Sequence, residues 1–144
     1  MAGNGDPIFS RAGAIGLAGG TGIGTAIVAD YDGTGTNNVA VFTADATNGG
    51  FVQRLRFKAK GSNTTAAVAR IYINNGAANT TATNNSFYGE LSLPVTTAST
   101  TASTVDIDYP MNFALPAGYK IIVGISSSAV LTSGWSVTTI AGAY

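Results

Sequence analysis

The chain has 144 residues, seven basic and seven acidic side chains, no cysteine and no histidine. This length suits one domain that buries about two thirds of its unfolded surface, so a core is available without disulfides or metal. The missing residue types exclude histidine-based nucleophilic catalysis, zinc knuckles, iron–sulfur clusters and redox pairs. Zero net charge argues against a dedicated nucleic-acid binder. Only 10% of residues are charged, against about 25% in an ordinary soluble domain. Thr, Ser, Asn and Gly must therefore supply the polar surface.

Residues 1–24 are dense in Gly and Ala, with Ile8, Phe9, Ile15, Leu17 and Ile23 spaced among them. Glycine at this density disfavours helix and strand alike. The segment is expected to be an N-terminal arm that orders against something else, a neighbouring subunit for example, with Ile8 and Phe9 as contacts. A disordered leader is the alternative. Met1–Asp6 lacks the basic stretch of a signal peptide, and no apolar run approaches the roughly 18 residues of a membrane span. Assembly in a cytoplasm is expected, without a membrane.

From residue 25 to 144 the punctuation is that of an all-β domain. Short β-prone runs alternate with Gly, Asn and Thr clusters about every ten residues. Thr25–Ala29 and Asn38–Thr43 are candidate strands, separated by the turn-rich Asp30-Tyr31-Asp32-Gly33-Thr34-Gly35. In Phe51–Lys60, Phe51, Leu55, Phe57 and Ala59 share one parity, with Gln53 the exception. Val52, Arg54, Arg56, Lys58 and Lys60 share the other. Period two sends the first set to a core and lines four basic side chains along one exposed face.

Val68–Ile73 sets Arg70 and Tyr72 opposite Ile71 and Ile73. Phe87–Leu93 is a strand that Pro94 ends or marks as an edge. Residues 95–104 form an exposed Thr/Ser/Ala loop or edge. Val105, Ile107 and Tyr109 alternate with Asp106 and Asp108 before Pro110 interrupts. Phe113 and Leu115 lead to a turn at Pro116-Ala117-Gly118. Tyr119, Ile121, Val123 and Ile125 share a face, with Ile122 opposite them, and Trp135–Ile140 is the last strand. About eight strands and no helix predict an antiparallel two-sheet sandwich, jelly-roll-like, or a smaller Greek-key sandwich.

Several motifs imitate chemistry. Gly19-Gly20-Thr21-Gly22-Ile23-Gly24 imitates a dinucleotide loop but lacks a strand before it and a helix start after it, so no cofactor is expected. Asp30-x-Asp32-x-Thr34-Gly35 imitates half of a calcium loop, yet Val41 stands where a bidentate Glu is required. Turn hydrogen bonding is the simpler role for those aspartates.

Arg54, Arg56, Lys58 and Lys60 have no interleaved aromatics for base stacking. A solvated face or a subunit contact fits them better than nucleic acid. Asp106 and Asp108 are placed to pair with them across the sheet or between subunits. Glu90, Asp106 and Asp108 are the carboxylates that glycoside hydrolysis would draw on, but no enzyme is expected. Trp135 is assigned to the core rather than to a sugar platform. The sequons at Asn63, Asn79 and Asn84 mark Thr/Asn-rich loops.

The combination of the Gly/Ala-rich start, Phe51-Val-Gln-Arg-Leu-Arg-Phe, and the run from Asp108-Tyr-Pro-Met-Asn-Phe-Ala-Leu-Pro-Ala-Gly-Tyr-Lys-Ile to Gly134-Trp-Ser-Val and Tyr144 carries a resemblance. Over about half the chain it resembles head decoration (cement) proteins of tailed bacteriophages. It is also similar to the closing strands of trimeric jelly rolls of the tumour-necrosis-factor type. The resemblance implies a homotrimer on the capsid surface of a virion, bridging copies of the major capsid protein without chemistry. A receptor-binding or fibre-tip domain that recognises a host glycan is the alternative.

Overall fold

A computed structural model describes residues 10–24 and 30–144. Ile8, Phe9 and the candidate strand Thr25–Ala29 lie outside the described residues. Eight strands follow in chain order: β1 (Ala12–Ile23), β2 (Val39–Thr43), β3 (Gly50–Ala59), β4 (Ala67–Asn74), β5 (Asn85–Leu93), β6 (Asp106–Leu115), β7 (Lys120–Ser127) and β8 (Trp135–Ala143). The described residues hold one helical turn, a 3-10 turn at Ala82–Asn84.

One sheet has the order β1-β8-β3-β6 and the other β2-β7-β4-β5. Every neighbouring pair is antiparallel. Four of these pairs are nested along the chain: β4 with β5, β3 with β6, β2 with β7 and β1 with β8. That nesting is a long hairpin rolled onto itself, so the sandwich is a jelly roll. The inward faces meet in one core, in which Trp135, Phe57, Leu55, Ile71, Ile121 and Val137 are buried.

Ala12–Ile23, expected as part of the arm, is an edge strand bonded to β8 of the same chain. Cross-strand hydrogen bonding outweighs the glycine penalty here, and glycine itself permits the packing. A Cβ on Gly16 would collide with the Val41 carbonyl of β2. The Thr139 hydroxyl on β8 donates to that same carbonyl at 3.0 Å. The two sheets are thus pinned together at this margin. The Gly19–Gly22 stretch lies where the β1–β8 register slips between Ala18 and Ile23, so the glycine motif is a strand irregularity.

The parity expected for β3 holds from Arg54 onward and fails before it. Val52 is buried and Phe51 is half-buried. Val52 pairs with Ala141 and Arg54 with Ile140, so two steps of β3 oppose one of β8. This bulge at Gln53 turns Val52 inward. The neighbouring strand answers with Asn112 in the left-handed region at φ 54. Strand β6 runs straight through Pro110, which the sequence placed as a break. It is the sheet's edge strand, where a missing N–H costs no ladder bond.

Candidate functional site

The outer face of β3 carries the basic row. Arg56 lies opposite Asp108 and Lys58 opposite Asp106 in the β3–β6 register. The side chains form a ladder: Arg54 Nε is 3.8 Å from Asp108, Arg56 Nη1 is 3.7 Å from Asp108, and Lys58 Nζ is 3.7 Å from Asp106. Arg56 also bonds directly to Asp106, and Lys58 donates to the Thr104 carbonyl. Three cations thus meet two carboxylates within one chain. Lys60 lies past the end of β3, with its backbone N–H on the Gly134 carbonyl at 3.3 Å. Of the four predicted basic residues, the fold brings Arg54, Arg56 and Lys58 together in the ladder.

The outer face of β4 is built differently. Arg70 and Tyr72 are both buried there, although their parity is opposite to the core-facing Ile71. The loop before β2 covers them. The Tyr72 hydroxyl donates to the Asp30 carbonyl at 2.8 Å, and Arg70 Nη1 donates to the same oxygen at 2.9 Å. The Tyr31 ring caps the guanidinium at 3.7 Å from its centroid and meets Phe87 edge-on at 5.5 Å. Burial and the nearby Asp30 carboxylate push the Tyr72 phenol far above its ordinary range.

The aspartates of the calcium-like segment are used by their own loop. Asp30 Oδ1 accepts the Gly33 N–H at 2.9 Å, and Asp32 Oδ1 accepts both the N–H and the hydroxyl of Thr34. These bonds to the ionised form hold the Asp32 carboxyl below its ordinary value, and bonds from Asn48 and Thr47 do the same for Asp45. Glu90 sits 3.7 Å from Arg70 Nε. Every described carboxylate side chain therefore has a structural partner. Among the described residues, no group of three or more acidic side chains is arranged to hold a metal ion. Trp135 is fully buried.

Sequence reasoning missed Asn63. Its side chain is buried and makes a four-way clasp: Oδ1 accepts the N–H of Ser133 at 3.1 Å and of Gly134 at 2.8 Å, and Nδ2 donates to Thr96 Oγ1 and the Gly134 carbonyl. This buried amide is closed to glycan attachment. A second asparagine chain, Asn74 to Asn85 and Asn85 to the carbonyls of Asp32 and Asn79, ties the opposite loops. Thr/Asn-rich composition marked these segments as loops, but nothing in their spacing singled out which asparagine turns inward.

No protein-family model, no curated protein and no solved structure matches the chain.

Proposed function

We propose that the protein is a structural component of a virion, a decoration or cement protein that stabilises a head shell through contacts with the major capsid protein. A trimer at local symmetry points of the shell belongs to the same proposal. The observation that carries the reading is the occupation of every described carboxylate by a cation or by backbone and hydroxyl donors within the fold. A glycoside hydrolase keeps one carboxyl protonated and one poised as base or nucleophile. Here the acids fasten strands and loops. What is left for partners is a surface rich in Thr, Ser, Asn and backbone, with its charges already paired within the chain at the ladder, suited to main-chain-mediated assembly. Repetition over a shell multiplies such weak contacts.

The test is addition of purified protein to shells that lack it. The reading expects saturable binding at a fixed ratio to the major capsid protein and a higher temperature of shell rupture. Failure to bind intact shells overturns it. The exposed rings of Tyr31, Phe87 and Tyr88 are the features that favour the second reading, a glycan-recognising fibre domain. Binding to host-surface glycan rather than to shells would decide for it.

A further inference from the structure

The jelly roll has four edge strands, β1 and β6 in one sheet and β2 and β5 in the other. Exposed edges invite pairing with other chains, and folds blunt them with shortness, charge, proline or bulges. Strand β2 has five residues and a register shift. Strand β6 carries Pro110, Asp106, Asp108 and the Asn112 kink. Strand β5 carries Glu90 and a register shift opposite Tyr72.

Strand β1 has none of these over Ala12–Ala18. Its pairing with β8 is continuous there, and the stretch has no charge and no proline. Alternate residues bond to β8, and among the described residues no strand pairs with the other set of backbone groups. Ile15 and Leu17 on the outer face are 64% and 81% exposed, while Ala14 and Ala18 pack toward the core.

The geometry points to β1 as a two-fold interface with a second copy of this chain, the strands pairing antiparallel about Gly16 to join two four-stranded sheets into one of eight. An antiparallel strand is self-complementary under a two-fold axis. Centred on Gly16, the register sets Ile15 opposite the partner's Leu17, and Leu17 opposite the partner's Ile15. Each pair then buries aliphatic surface that the single chain leaves exposed. Charge agrees with this occupant. The one ionic residue beside the paired stretch is Arg11, and the two-fold holds its two copies about 33 Å apart at roughly 3.3 Å per residue. A strand shaped for an ionic partner would carry complementary charge on Ala12–Ala18, and this one carries none. The contact links two copies whatever other faces each uses, so it stands independently of the capsid reading.

The experiment is sedimentation velocity on the full chain beside Ile15→Lys and Leu17→Lys. Both side chains point outward, so far-ultraviolet dichroism and Trp135 emission are expected to match the parent. The wild-type assembly is expected to contain an even number of chains, and each lysine variant to fall to half that mass. A wild type of one chain or of any odd number of chains, a lone trimer included, or a mass that neither lysine alters, overturns the proposal. Hydrogen exchange on the wild type provides a second reading that needs no variant. Protection of the amides of 12–18 should rise with protein concentration, and concentration-independent exchange overturns the two-fold pairing.

Discussion

Asn63 and Gly134 are bonded in both directions across 71 positions of sequence: the amide oxygen accepts the glycine N–H at 2.8 Å, and the amide nitrogen donates to its carbonyl at 3.2 Å. Thr96 completes the clasp, with backbone bonds to Asn63 in both directions. Three loops at one end of the sandwich therefore depend on one side chain.

Asn63→Ala leaves the N–H groups of Ser133 and Gly134 without their acceptor, while the Thr96 hydroxyl and the Gly134 carbonyl keep their bonds to Gly61 and Lys60. A loss of about 3 kcal/mol is expected, with the melting temperature falling on the order of 10 °C. Asn63→Asp keeps the two acceptor bonds but turns an oxygen toward the Gly134 carbonyl. Its penalty should be larger at neutral pH, where the buried carboxylate is charged, than in mild acid. Denaturant titration at two pH values checks both.

Gly16 separates close approach from strand propensity. Gly16→Ala should destabilise by about 1–3 kcal/mol, since the new methyl meets the Val41 carbonyl. Gly13→Ala, with open space around its Cβ, should be neutral or slightly stabilising. Thermal melts of the pair decide whether the β1–β2 margin is packed as described.

The ladder on β3 and β6 predicts compensation. Arg56→Glu places like charges beside Asp106 and Asp108 and should cost about 1 kcal/mol, because these exposed pairs are screened by water. Adding Asp106→Lys should restore much of that loss, and salt should shrink both effects. A double-mutant cycle at low and high salt measures the coupling.

Tyr72 fixes the alkaline limit. Its neutral form is favoured in the fold, so its phenolic contribution is complete below the ordinary value of 10.0 and is lost as pH rises above it. Ultraviolet titration should show one tyrosine that ionises only as the fold is lost. In acid the signs reverse. The depressed Asp32 and Asp45 carboxyls contribute fully above their ordinary value of 3.8, and that contribution fades as pH falls below it. Stability should be flat from neutral pH down to that range. Dichroism followed across pH reads both limits.

The sandwich was legible wherever period two was unbroken. Ile121, Val123 and Ile125 are buried as the alternation required, and Ile122 is buried on the other face. Legibility failed where register slips. The bulge at Gln53 moved Val52 inward, and a bulge leaves no mark in composition. Strand β1 was hidden because glycine carries no hydrophobic period, so its pairing to β8 rests on backbone bonds that sequence patterning does not display. The basic row on β3 was visible, and so was Asp106-x-Asp108. Their union needed the register, which sets Arg56 against Asp108. The burial of Arg70 and Tyr72 depended on a loop 40 residues earlier in the chain, a contact with no local signal.

The proposed role sets this fold on a shell, with its acidic side chains used as structural fasteners. Quantitative mass spectrometry of particles purified from the biological source of the chain tests it most directly. The account predicts a copy number comparable to that of the major capsid protein. Absence from particles, or only the few copies expected of a tail fibre, would contradict it.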